Sequence, residues 1–185
     1  MSATEAEDVD VTIGPDHILF LCTGNAARSV MATIMFRART EGYAVSGAGT
    51  HVVEGHPMSV RTRRALERHG LEDRTHRSRQ LWRDHASEAT VIVAMAPEHV
   101  AWVRRNQPHA AAHTATIKRL VRDLPSAEGA TLAERVGALR LAEVELGDWE
   151  EVVDPAAGEQ PVFDACADEL DRLVDELISA LGAAT

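Results

Sequence analysis

One segment constrains the fold more than any other: HILFLCTGNAARSVMATIMFRA, residues 17–38. His17–Cys22 is a short, uninterrupted apolar run, which reads as a parallel strand buried on both faces. After the Gly-Asn turn, Val30, Met31, Ile34, Met35 and Ala38 recur at helical spacing and mark one face of a helix. Gly42 is a plausible stop for that helix, and Tyr43–Ala48 then reads as a second strand. The unit is β-α-β, with its first turn at the carboxyl end of the first strand.

The pattern repeats more loosely downstream. Ser59 is placed to cap a helix reaching His69 and closed by Gly70. A short helix is expected over Gln80–Ala86, a strand over Ala89–Ala96, a helix over Pro97–Arg105 and a fourth strand over His113–Ile117. Leu132, Val136 and Leu139 form a further helical stripe. The last helix is expected over Val162–Leu181, with Phe163, Cys166, Leu170, Leu173, Val174, Leu177, Ile178 and Leu181 inward. Strands alternating with helices argue for an open α/β sheet, whose binding crevice lies outside the carboxyl ends of the strands. The turn Cys22–Arg28 falls there.

A chain of 185 residues suits one domain with a full core. The expected division is a disordered acidic tail over residues 1–15 and one folded domain over residues 16–185. A formal net charge of −10 disfavours nonspecific binding to nucleic acid or anionic membranes. Two cysteines, Cys22 and Cys166, are too few for a disulfide framework or a cysteine-based zinc site, and a cytoplasmic, reducing location fits them. The histidines show no metal-ligand spacing, so neither metal nor cofactor is expected.

The turn itself carries chemistry. Phosphate recognition needs converging backbone N–H groups, preferably at a helix N-terminus. Gly24 and Asn25 tolerate the backbone angles such a cradle demands, with Thr23, Ala26 and Ala27 completing it. Arg28 offers a planar fork for two phosphate oxygens. Cys22 would lie at the base, where the helix end and Arg28 both favour a negatively charged sulfur. Ser29 is placed to hydrogen-bond that sulfur. No Gly-Lys-Ser/Thr follows, so nucleotide hydrolysis is disfavoured. Seven arginines between Arg61 and Arg79 read as a solvated helix face, or as a patch drawing anions toward the cleft. Asp148, Glu150 and Glu151 read as a solvated acidic face.

The run LFLCTGNAARSVMA resembles the phosphate loop of the low-molecular-weight protein tyrosine phosphatases. Gly47-Ala-Gly-Thr50 is similar to the family's Ser-Ala-Gly-Thr, His76-Arg-Ser-Arg-Gln-Leu81 to its His-x-Ala-Arg-x-Leu, and Val153-Asp154-Pro155 to its acid loop. The resemblance spans roughly residues 17–181, leaving out the tail and much of 120–148. It implies a single flavodoxin-like domain: an open four-stranded parallel sheet flanked by helices on both faces. It also implies a cysteine-dependent phosphomonoesterase, in particular a protein tyrosine phosphatase working through a phosphocysteine.

In that reading Cys22 is the nucleophile, Arg28 the oxyanion clamp, Asp154 the general acid and His76 a support of the loop. The substrate is a phosphorylated protein or small phosphate ester, inorganic phosphate is the product, and neither nucleic acid nor membrane is a partner. Two rivals are a phosphate- or phosphoprotein-binding module with little turnover, and an arsenate reductase, which needs further cysteines for its relay.

Four departures stand out. Ala27 replaces a cysteine that in many relatives forms a protective disulfide. Ala26 matches neither the phosphotyrosine nor the phosphoarginine choice at its position. Gly47 replaces a loop-supporting serine. Ala156, Ala157 and His51-Val52-Val53 stand where aromatic residues usually wall the substrate slot.

Overall fold

The computed structural model describes residues 15–182. The expected tail, residues 1–15, lies outside the described residues apart from Pro15. Four parallel strands form one sheet in the order β2-β1-β3-β4: β1 His17–Cys22, β2 Ala44–Gly49, β3 Val91–Ala94 and β4 Thr114–Thr116. The helices are α1 Arg28–Arg39, α2 Val60–Arg68, α3 Arg83–Glu88, α4 Pro97–Asn106, α5 Ile117–Asp123, α6 Leu132–Ala138 and α7 Gln160–Gly182.

Side-chain alternation along β1 explains why its apolar run is unbroken. Ile18, Phe20 and Cys22 join one core with α1, α5 and α7. Leu19 and Leu21 join a second core with Leu81, Ala86 and Val103 on the other face. Both faces are covered, as an all-parallel sheet requires. The strand order reverses between β1 and β3, so the crevice of this doubly wound sheet opens above that pair. The turn leaving β1 occupies it.

Several boundaries differ from expectation for identifiable reasons. The helix expected over Gln80–Ala86 starts only at Arg83. Gly49 captures the preceding residues first: its N–H donates to Arg79 and its carbonyl accepts from Leu81, leaving Gln80 in a bridge. The fourth strand stops at Thr116, whose hydroxyl accepts the Arg119 amide and so caps α5. Ala38 faces solvent, and Phe36 takes the inward place. Ile178 is only half buried.

The segment 120–148 has a structural task. Arg135 of α6 is buried and donates to the carbonyls of Ala180, Leu181 and Leu124 at 2.8, 3.0 and 2.8 Å. It thereby satisfies the orphan carbonyls at the end of α7.

Candidate active site

The cradle is built by turning its carbonyl groups outward. The Cys22 and Thr23 carbonyls accept from the amides of Thr50 and His51 at 3.0 and 2.9 Å, extending the β1–β2 ladder past the strand ends. The Asn25 carbonyl accepts from His76 Nε2 at 2.9 Å, which fixes the proton on that nitrogen. The Ala26 carbonyl accepts from Thr62 Oγ1 of α2 at 3.0 Å. With these oxygens engaged outside, the amides of Gly24, Asn25, Ala26 and Ala27 have no acceptor among the described residues. They lead into the N-terminus of α1, which carries no side-chain cap. Unsatisfied N–H groups at such an end favour an anion.

Asn25 holds the turn together. Its φ of 49° is left-handed, a region asparagine tolerates better than most residues. Its Oδ1 accepts the Arg79 amide at 3.1 Å, and its Nδ2 donates to Ser29 Oγ at 2.9 Å. The Ser29 hydroxyl, which accepts from Asn25, is also hydrogen-bonded to Cys22 Sγ at 3.0 Å, and donates to it once the sulfur is a thiolate.

Two glycines let β2 approach this closely. A Cβ at Gly49 would meet the Thr23 carbonyl oxygen at 2.5 Å, and one at Gly47 would meet Thr33 Oγ1 at 2.8 Å. Thr33 thus fills the space beside Gly47, and its hydroxyl donates to the Ser29 carbonyl at 2.6 Å.

Arg28 is buried over the sulfur, 2% exposed, and serves three partners. Nη1 donates to the Val152 carbonyl at 3.0 Å. Nη2 reaches Asp154 Oδ2 at 2.7 Å and Thr23 Oγ1 at 3.4 Å. The Asp154 carboxylate is 44% exposed at the rim, and its Oδ1 accepts the Ala156 amide at 3.0 Å across Pro155. Cys22, Thr23, Gly24, Ala26, Ala27, Arg28, Asp154 and Ala156 enclose a hollow of about 240 Å³. Among the described residues no aromatic ring lines it.

The loop carrying Asp154 is pinned from behind. Val152 N donates to the Met95 carbonyl at 2.8 Å, at the end of β3. Glu150 is fully buried, not part of a solvated face. Arg119 grips it through Nε at 2.9 Å and Nη2 at 2.5 Å, and Thr116 Oγ1 donates to it at 2.6 Å. Burial alone would push the Glu150 carboxyl up; the hydrogen bonds from Arg119, Thr116 and the Gly147 amide outweigh it and hold it below its usual range.

Sequence reasoning missed His99 as well as Thr62 and Glu150. His99 is buried, with Nε2 3.0 Å from Thr23 Oγ1. Burial first, then the Arg28 charge, lowers its pKa to about 3, so it stays neutral. The seven-arginine cluster divides in two. Arg61 and Arg68 of α2 pair with Glu159, Asp164 and Asp168 at and on α7, a helix-face role. Arg77 and Arg79 lie in the segment behind the cradle.

Four parallel strands, a turn whose amides have no acceptor among the described residues, and a cysteine and a buried arginine lining one hollow make a candidate phosphate-handling site on a flavodoxin-like fold. Residues 17–131 match the model of the low molecular weight phosphotyrosine protein phosphatases. The chain is 32% identical to a protein-arginine-phosphatase of Geobacillus stearothermophilus, over 90% of this chain and 97% of that protein. It is 30% identical to a low molecular weight protein-tyrosine-phosphatase of Streptomyces coelicolor, over 89% and 93%. The solved YwlE arginine phosphatase of G. stearothermophilus superimposes with a TM-score of 0.73 at 32% identity, covering 90% of this chain and 93% of that one. The chain belongs to the low-molecular-weight phosphotyrosine protein phosphatase family and is a phosphoric monoester hydrolase of that class.

Proposed function

We propose that the chain removes phosphate from phosphorylated protein through a phosphocysteine on Cys22. The observation that carries this is that Cys22, with Sγ 3.0 Å from the Ser29 hydroxyl, shares one hollow with a buried Arg28 and with a turn whose amides have no acceptor among the described residues. The thiolate attacks phosphorus while the amides and Arg28 hold the equatorial oxygens. The bond to the leaving group breaks, and Asp154 supplies the proton that the departing atom needs. Water then attacks the phosphocysteine, Asp154 takes its proton, and phosphate and thiolate are released, with the Ser29 hydroxyl stabilising the sulfur.

Arg28 is paired with Asp154. A phosphate in the cradle competes for the guanidinium and frees the carboxylate to act as acid. No metal takes part in this scheme. A reducing, cytoplasmic location suits a free nucleophilic thiol, and no helix among the described residues is long and apolar enough to cross a membrane.

Phosphotyrosine and phosphoarginine both enter this chemistry. The ring-free hollow, walled by Ala26, Ala27 and Ala156, favours phosphoarginine as a second reading, because it offers no sandwich for a phenol. The full-length similarity to the arginine phosphatase points the same way. Arsenate reduction is disfavoured: the second cysteine, Cys166, is buried on α7, and burial pushes its thiol up to about 12.

The test is hydrolysis of p-nitrophenyl phosphate in EDTA, followed by phosphotyrosine and phosphoarginine peptides. Cys22→Ser is expected to lower turnover by at least about 10⁴-fold while vanadate still binds. Full activity in that variant sinks the mechanism. A wild-type chain that binds vanadate yet turns over neither peptide would be a binding module instead.

A further inference from the structure

Behind the cradle lies a second cavity, of about 370 Å³, which shares no lining residue with the hollow above Cys22. Its walls come from α1, the edge strand β2 and the segment leading to Gln80. That volume sits at the lower end of the range for small-molecule sites. Arg37, Arg77 and Arg79 all line it, on a chain of net charge −10. Asp73 is its only carboxylate among the described residues, and Asp73 Oδ1 is already spent on the Thr75 amide, the Thr75 hydroxyl and the His76 amide.

The three guanidinium groups are held by carbonyl oxygens. Arg37 Nη2 donates to Val45 at 3.1 Å, Arg77 Nη1 to His76 at 2.7 Å, and Arg79 Nε to Gly47 at 2.9 Å. Each of these hydrogen bonds uses one of a guanidinium's five N–H donors. Nearby Arg61, Arg68 and Arg74 behave differently, each pairing with a carboxylate. Three cations gathered around one half-open cavity, with one partly occupied anion among them, leave it net positive, and its unmet need is for anionic oxygens.

We infer that this cavity binds a small polyanion bearing phosphate or carboxylate groups, at a site separate from the catalytic cradle. Its wall includes Asn25 and His76, the two residues that hold the cradle's turn from outside. Occupancy is therefore in contact with the loop support without touching the reacting atoms. The inference stands on the cavity alone, so a chain with an inert cradle would still show it.

The experiment is an amide NMR titration of the full chain, with pyrophosphate and citrate as separate probes. The amides of Asp73, Thr75 and Arg77 are expected to shift, saturating at a concentration distinct from any response of Gly24, Ala26 and Ala27. Raising ionic strength weakens the response. Arg37 and Arg77 are exposed, so the double variant Arg37→Gln/Arg77→Gln is expected to fold. It should weaken binding at this site at least about tenfold, while the cradle's response and p-nitrophenyl phosphate turnover stay as in the wild type. A response to pyrophosphate alone assigns a phosphate-bearing ligand, and one to citrate assigns a polycarboxylate. No shift at these three amides with either probe up to about 10 mM, a range weaker than ordinary ligand affinities, overturns the inference. So does a response that the double variant retains in full.

Discussion

The two halves of the candidate site are held in opposite ways. The cradle is over-determined: Asn25 is 1% exposed and engaged through its carbonyl, Oδ1 and Nδ2, and neighbouring carbonyls are fixed by Thr50, His51 and Thr62. The loop of the proposed acid carries the Asp154 carboxylate at the rim and is hydrogen-bonded to Arg28 through Asp154 and the Val152 carbonyl. A buried anion seat and an exposed proton donor suit the proposed reaction, in which phosphate binding is constant but the proton moves twice. Buried polar networks rigidify when fully satisfied, and an exposed carboxylate keeps contact with solvent water.

If that contrast is right, damage to the acid loop should appear in turnover and damage to the cradle in anion binding. The sharpest separation is Asp154→Ala. Turnover with a poor leaving group is expected to fall roughly 10²–10⁴-fold, with inhibition by inorganic phosphate unchanged or stronger, since Arg28 loses its competitor. Weakened phosphate inhibition in this variant would erase the distinction between the halves.

Next comes the anchor of the acid loop. Arg119→Met strands the buried Glu150 carboxylate, and breaking such a pair costs about 3–5 kcal/mol. Urea unfolding should show the loss, and the double variant Arg119→Met/Glu150→Leu should recover most of it. A single variant within about 1 kcal/mol of wild type, the scale of an exposed pair, would show that the loop is not pinned through this contact. Asn25→Ala is smaller in stability, about 2–4 kcal/mol, from an unpartnered Arg79 amide and an alanine forced into the left-handed region. Its signature lies in the kinetics: KM and the phosphate inhibition constant should rise more than kcat falls.

The same contrast governs what was legible in the sequence. Strand, turn and helix from His17 to Arg39 are contiguous, so period and turn chemistry alone locate Cys22 and Arg28. Asp154 lies 126 residues from the arginine it meets, and only resemblance to a known family pointed to it. His76 was read the same way, and the structure brings it to the Asn25 carbonyl. Glu150 looked like one of several surface acids because its partner Arg119 is 31 residues away, in a helix the sequence pattern did not reveal. Thr62 is hidden for a different reason. A threonine three residues after a capping serine reads as helix start, and nothing local says that its hydroxyl reaches the Ala26 carbonyl.

His99 offers the mildest way to probe the cradle's support. Its pKa is about 3 in the folded chain and about 6.5 when solvated, so below pH 6.5 the unfolded chain binds a proton that the folded chain does not. The stability it lends is complete above pH 6.5 and falls as pH drops toward 3, by up to ~1.4 kcal/mol per pH unit. His17 and His76 shift in the same direction, both chiefly through burial, and add to the slope. Glu150 joins only below about 4.5, its unperturbed value. The window from 6.5 to 4.5 therefore belongs to the histidines. His99→Gln retains a hydrogen-bonding group toward Thr23 but removes the titration. Urea midpoints measured across that window should fall less steeply in the variant than in the wild type. Parallel slopes would mean that His99 takes up its proton without leaving the folded state, and that the cradle is more open on its Thr23 side than on its Asn25 side.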